Sequence, residues 1–363
     1  MREKRVIIFM PSIEGGGVEK NLFIITNFLT KKYSNLSLIT VSKKFSSKFN
    51  NSIKLICPRL NIWDQMNRRV KYIISIFLLI KEILNNRNSI VFSFQANIYC
   101  IIICKIFFIK IITRSNSAPA GWSNNIFKKM IFRYFLKLSN KIIVNSYEFK
   151  KNLKNYYNLE STVILNPLKK SKTKKKILFF KNFNQLKIIS IGRLTHQKDH
   201  ITLLKSLKLL KYNFKVNFRL YLIGKGYNYN LLTNFIKNHG LKKNIKLAGY
   251  KKNAFEYIKS SDLLVLSSRY EGLPNVLIEA QASGIPVISS NCPSGPREIL
   301  MNGKLGELFK VGDYKGLCNK IFKLFENKKI LKKKSILEKK YLYRYDHNTN
   351  LKKYTKILKD NID

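Results

Sequence analysis

A chain of 363 residues is long for a single core and predicts two domains. Hydrophobic residues at 45% against 25% charged exclude wholesale disorder. The formal net charge of +49 marks a surface that attracts polyanions without saying which, since nucleic acid, anionic lipid and sugar nucleotides all qualify. The lysines are spread along the chain, so charge alone is discounted as evidence about chemistry. Cys57, Cys100, Cys104, Cys292 and Cys318 form no CxxC pair and read as the reduced thiols of a cytoplasmic protein.

The first apolar run stops at Pro11, too short for a signal-peptide core, and predicts a strand over 5–9 covered on both faces. A loop over 11–17 ends in three glycines and leads into a helix over 18–29. Such a turn lets backbone N–H groups approach a phosphate or sugar, although it can equally serve as a tight connection. The GxGxxG spacing is absent and no acidic residue ends a second strand, which disfavours nicotinamide binding. Strand-like segments follow at 36–41, 54–57, 90–94, 110–113, 141–144 and 163–165. Helix-like segments lie between them at 69–84, 96–108, 125–137 and 147–156. Segments 72–84 and 98–112 are apolar but are broken by Lys81, Glu82, Lys105 and Lys110. A membrane span needs ~20 mostly apolar residues, so both are expected to be buried elements. Ser93, Gln95, Arg114, Ser115 and Asn116 stand at strand ends, where a doubly wound sheet places its ligand crevice.

The lysine-rich stretch 168–185 reads as a solvated linker rather than a nucleic-acid arm. Alternation restarts with a strand over 186–191 and a helix from 201. Arg193 and Lys198 fall between them, where a guanidinium fork, a point charge and a helix N-terminus all favour a diphosphate. The competing reading is surface charge in a basic chain. His196 and His200 have an i, i+4 spacing, but no third ligand is evident and zinc is disfavoured. Strands are expected at 218–223, 245–248 and 262–266, helices at 231–239 and 254–260. Then comes RYEGLPNVLIEAQASGIPVISSNCPSGPREIL, residues 269–300. Its Glu271 lies in a loop and Glu279 in a helix, so two carboxylates meet one crevice edge, where a polyhydroxylated ligand could be held. A strand at 307–309, a helix at 315–325 and a helical tail complete the pattern.

With GRLTHQKD at 192–199, the stretch 249–290 and PREIL at 296–300, the chain resembles the retaining GT-B glycosyltransferases of family 4, also called glycosyltransferase group 1. The motifs are specific in the second half. In the first half the resemblance rests on Gly15–Gly17 with Glu19 and the strand–helix rhythm. It implies an α/β fold of two Rossmann-like doubly wound domains facing across a cleft, with the C-terminal helix crossing back to the first. The expected domains are 1–167 on the acceptor side, the basic linker 168–185, a donor domain 186–340 and a C-terminal helix 341–363. Arg193 and Lys198 match the pair that neutralises the donor diphosphate. Glu271 matches the glutamate beside the donor sugar, and Glu279 the one that bonds the ribose. Gly272, Leu273, Pro274 and Asn275 match the donor-contact loop, Tyr250 the base region, and Gly16 and Gly17 the first-domain glycine loop.

Many members place a histidine after a first-domain strand. Here the region reads Thr113-Arg114-Ser115-Asn116, which offers Arg114 or Asn116 for the role. The resemblance implies same-face attack with no covalent nucleophile, no metal and no cofactor beyond the nucleotide-sugar substrate. NCPSGPREIL and NGKLGELF are similar to bacterial transferases that build surface or protein-linked glycans on a polyprenyl-diphosphate carrier. The expected partners are therefore a UDP-hexose or UDP-N-acetylhexosamine and a glycan or lipid-linked sugar. The expected place is the cytoplasm, peripheral on the inner face of the plasma membrane. The alternatives are a nucleic-acid or other polyanion-binding protein, for which no basic–aromatic module is found, and a non-catalytic sugar-nucleotide-binding member.

Overall fold

The computed structural model describes residues 4–116, 125–169, 175–327, 334 and 336–362. The chain divides into two compact units. One is Met1–Pro167 together with His347–Asp363, the other Leu168–Asp346.

The first unit is a seven-stranded sheet in the order β3-β2-β1-β4-β5-β6-β7, with every pairing parallel. Its strands are β1 (Arg5–Phe9), β2 (Leu36–Ile39), β3 (Lys54–Ile56), β4 (Ser89–Ser93), β5 (Lys110–Ser115), β6 (Lys141–Val144) and β7 (Thr162–Val163). Helices cover both faces, which is why Val6–Phe9 of β1 and Ile90–Phe92 of β4 are unbroken apolar runs. Val6 and Ile8 face the side packed by α1 (Gly17–Leu29) and the C-terminal helix α12 (His347–Ile362). Ile7 and Phe9 face α2 (Arg68–Asn85), α3 (Asn97–Ile106), α4 (Ile126–Lys137) and α5 (Tyr147–Tyr157). The C-terminal helix returns to this unit as expected, beginning at His347 rather than 341. Leu351, Tyr354 and Leu358 are its buried stripe.

The second unit is a six-stranded parallel sheet, β10-β9-β8-β11-β12-β13. Its strands are β8 (Leu186–Ile191), β9 (Phe218–Ile223), β10 (Ile245–Leu247), β11 (Leu263–Leu266), β12 (Val287–Ser290) and β13 (Glu307–Phe309). The helices are α6 (His200–Tyr212), α7 (Tyr229–Asn238), α8 (Phe255–Ile258), α9 (Asn275–Ser283), α10 (Pro296–Ile299) and α11 (Tyr314–Glu326). Leu203, Leu207 and Leu210 of α6 pack with Leu317, Ile321 and Leu324 of α11 over Leu220 and Val265.

Two expectations change. Of the linker 168–185, residues 175–185 are folded onto this unit. Arg219 Nη1 donates to the Phe179 carbonyl at 2.6 Å, its guanidinium lies over the Phe183 ring, and the Phe180 ring packs beside Tyr221. Part of the lysine run, 170–174, lies outside the described residues. Segments 72–84 and 98–112 are not simply buried. In α2 only the stripe Lys71, Ser75, Leu79, Glu82 and Ile83 is buried, while Ile73, Phe77 and Leu84 are exposed. The second segment forms α3 and β5, the helix and strand expected there, but Tyr99, Ile106 and Phe108 are exposed. Among the described residues no helix is long and apolar enough to cross a membrane.

Candidate functional site

In an open parallel sheet, ligands bind beyond the strand carboxyl ends where the strand order reverses. In the second unit the chain runs outward from β8 to β9 and β10, then returns to β11 on the other side of β8. The loop after β8 is 192–199 and the loop after β11 is 267–274, and the structure ties them together. Lys198 Nζ lies 2.5 Å from Glu271 Oε1. Ser268 Oγ donates to the same carboxylate oxygen at 2.5 Å, and Ser267 Oγ to the Lys198 carbonyl at 3.0 Å. The Arg269 N–H donates to the Gln197 carbonyl at 2.8 Å. Side-chain exposures of 15% and 8% make the lysine–glutamate contact a shielded, charge-assisted pair rather than a surface ion pair. A second pair supports it, with Arg269 Nε 3.3 Å from Asp199 Oδ2, where Thr202 Oγ1 also donates at 2.9 Å.

Arg193 stands beside this pair with its guanidinium exposed. It donates to Gln197 Oε1 at 3.2 Å, and Gln197 Nε2 in turn donates to the Tyr270 carbonyl at 3.0 Å. Gln197 thereby orients the fork, which has N–H groups left over for a ligand. The turn His196–Lys198 is fixed by the His196 N–H donating to Tyr227 Oη at 3.1 Å. Immediately after it, α6 begins at His200, so Lys198 is positioned near a helix N-terminus.

The Glu271 loop is also held from β12. The Glu271 N–H donates to the Pro293 carbonyl at 3.3 Å. Gly295 has φ +83, and a Cβ there would stand 1.9 Å from the Gly272 carbonyl oxygen, so no side chain fits. Leu273 and Pro274 are buried and Gly272 and Asn275 half-buried at the start of α9. Glu279 is buried in the second turn of that helix. Tyr250 is exposed after β10, and the preceding Gly249 carbonyl accepts from the Gly224 N–H at 3.0 Å.

Two neighbours are electrically neutral. The Cys292 thiol is pushed up to about 12 by burial and by the Glu271 carboxylate, which removes it as a nucleophile. His200 is pushed down to about 3 by burial, with Lys198 adding to the effect, so its imidazole is uncharged. His196 is exposed and His200 buried, and no metal-competent group of three His, Cys, Asp or Glu exists among the described residues.

In the first unit the strand order reverses at β1 and β4, and the glycine loop lies there. The Ser12 N–H donates to Gln95 Oε1 at 3.1 Å across those strand ends. Gly16 caps α1 and Gly17 is its first residue. A Cβ on Gly16 would meet Glu19 Oε2 at 2.8 Å, and Glu19 Oε1 accepts from the Glu14 N–H at 3.4 Å. Arg114, at the end of β5, has its own partners within the unit. It is wholly buried, donating from Nε to Tyr354 Oη at 3.0 Å and from Nη2 to Asn166 Oδ1 at 2.8 Å, with its guanidinium 5.5 Å from the Phe94 ring centre. A side chain so enclosed clamps α12 to the sheet. Asn116 Nδ2 donates to the Phe94 carbonyl at 3.0 Å, bracing the same strand ends.

The sequence pointed to Arg193, Lys198, Glu271 and Glu279. It did not point to Ser268, Gln197, Asp199 or Tyr227. Ser268 and Asp199 each sit within three residues of a recognised position, which is the only signal they give.

Residues 169–340 match the model of the glycosyl transferases group 1. An uncharacterized glycosyltransferase of Methanocaldococcus jannaschii is 33% identical over 201 residues, 51% of this chain and 48% of that one. A Campylobacter jejuni protein aligns at 24% identity over 325 residues, 87% of this chain and 88% of its own. Its name is GalNAc-alpha-(1->4)-GalNAc-alpha-(1->3)-diNAcBac-PP-undecaprenol alpha-1,4-N-acetyl-D-galactosaminyltransferase. Among solved structures, Anabaena HepE in complex with UDP-glucose matches with a TM-score of 0.78 at 16% identity, over 98% of this chain and 100% of that one. That likeness is one of fold. The chain spans about half the length of the first curated relatives, 48%, 59% and 39%. Two parallel-sheet α/β units give the chain the GT-B fold, and residues 169–340, a little under half of it, are similar to the glycosyl transferases group 1.

Proposed function

We propose that this chain is a retaining glycosyltransferase that moves a hexose or N-acetylhexosamine from a UDP-sugar to a glycan or polyprenyl-diphosphate-linked sugar. The observation that carries the reading is the Lys198–Glu271 pair at the β8/β11 strand ends, with the exposed Arg193 fork beside it. Departure of a nucleoside diphosphate develops negative charge. Arg193 and Lys198 lie where that charge would form, already oriented by Gln197 and Glu271, so little reorganisation accompanies the reaction. Glu271 keeps Lys198 in place and turns its carboxylate towards the sugar, while Glu279 takes the ribose hydroxyls. The loop 272–275 and Tyr250 contribute contacts to sugar, phosphate and base. The leaving phosphate assists attack on the same face, and no side chain is assigned as a covalent nucleophile. The enzyme works without a cofactor or divalent metal.

The UDP donor is supported by HepE, solved with UDP-glucose. The lipid-linked acceptor is supported by the C. jejuni relative, whose name specifies a PP-undecaprenol substrate. With such an acceptor the protein acts in the cytoplasm, peripherally on the inner face of the plasma membrane.

Thermal-shift titration of the full chain with UDP, GDP and ADP tests the donor. UDP should stabilise it in the absence of added metal, and Arg193→Ala should abolish the shift. A larger shift with GDP or ADP, or an undiminished shift in Arg193→Ala, would overturn the donor assignment.

A further inference from the structure

The outer surface of the first unit's helical layer is not that of an ordinary amphipathic layer. In α4, Leu136 is the one fully buried residue, while Ile126, Phe127, Met130, Ile131 and Tyr134 are between 48% and 77% exposed. At 3.6 residues per turn these five fall within an arc of roughly 140° that faces away from the core. Exposed cations border the arc on both sides, Lys128 on one and Arg133 on the other, with Lys137 just inside the second edge, and the helix has no acidic residue. The neighbouring α3 ends in Ile106, and Phe108 follows at 95% exposure. Among the described residues, the first unit exposes twelve large Leu, Ile, Met and Phe side chains and the second only four. An apolar patch of this kind on one unit marks an interaction surface rather than scattered exposure.

We propose that α4 is a membrane-docking helix that lies in the plane of an anionic bilayer. Its apolar arc enters the headgroup–acyl boundary, while Lys128, Arg133 and Lys137 reach the lipid phosphates. An apolar face flanked by cations is the arrangement that binds an anionic interface, since both terms act together. Charge separates this occupant from a second copy of the chain. Isologous pairing through α4 would set one cationic border against another, on molecules of net charge +49. The proposal deepens the reading of a peripheral enzyme and rests on it, but uses no residue of the donor site.

The test is flotation of the full chain with phosphatidylglycerol/phosphatidylethanolamine vesicles and with phosphatidylcholine vesicles. The wild type should float with the anionic vesicles only. Phe127→Ser/Ile131→Ser should lower the partition coefficient by roughly tenfold or more. Lys128→Gln/Arg133→Gln/Lys137→Gln should weaken binding to the anionic vesicles. Both variants should keep the wild-type thermal shift with UDP, since every substituted side chain is solvent-exposed, and loss of that shift alone would count against the donor assignment only. The proposal is overturned if the wild type does not float with anionic vesicles, or if Phe127→Ser/Ile131→Ser floats as well as wild type. It is also overturned if, without lipid, the wild type is a dimer that this variant converts to monomer, which would assign the face to a second copy.

Discussion

Lys198 is bound at once by two demands. It is proposed to meet a diphosphate, and in the structure it already neutralises a nearly buried carboxylate. Removing it therefore leaves Glu271 with Ser268 as its partner in a shielded place. Lys198→Ala should cost about 3 kcal/mol of stability in urea unfolding, as breaking one side of a buried pair does. The double variant Lys198→Ala/Glu271→Gln should recover most of that stability but none of the activity. Equal stability of Lys198→Ala and wild type would show the pair to be loose. His200 supplies a pH dependence of known sign. Its folded pKa of about 3 lies below the ordinary 6.5, so as pH falls through that window the unfolded chain takes up the extra proton and stability drops. The loss should reach about 2 kcal/mol by pH 5. Chemical unfolding of His200→Gln at pH 5 and pH 7.5 should show a smaller difference than wild type.

At the level of elements, the strand ends were legible because β1 and β6 carry continuous apolar runs bounded by polar residues, and each forms where its run lies. Arg114 was not legible in the same way. A cation at a strand carboxyl end looks like a ligand group, and only α12, more than two hundred residues later, supplies the Tyr354 hydroxyl that encloses it. Tyr354→Phe should destabilise the first unit by about 2 kcal/mol, the worth of a hydrogen bond to a charged group. It should leave UDP affinity unchanged by calorimetry. A weakened UDP affinity at unchanged stability would assign Arg114 to the donor site. The burial of the apolar segment 72–84 was overestimated for a related reason. Periodicity reports that a helix has an apolar face, but not that α2 has one on each side.

At the scale of the whole molecule, the division into two units follows from length and from two sheets each completed by its own crossovers. The boundary was less legible, because Phe179, Phe180 and Phe183 turn part of a lysine-rich stretch into a folded edge of the second unit. The nearness of Lys198 and Glu271 was readable because Arg193, Lys198 and Glu271 lie in short loops after strands, where spacing in sequence becomes position in space, while Glu279 sits in the helix α9 that follows. The supporting Gln197 and Ser268 were hidden, since a polar residue in a loop has no signature until its partner is known.

Transfer of labelled sugar from UDP-sugars to a polyprenyl-diphosphate-linked sugar, with Arg193→Ala and Glu271→Ala alongside, tests sugar transfer at the β8/β11 strand ends. Wild type should form product without added metal, with the donor's anomeric configuration kept. Each variant should lose about 100-fold or more in kcat, the scale of removing preorganised stabilisation of developing charge. Product formed by either variant at the parent rate, or an inverted anomer from wild type, would contradict it.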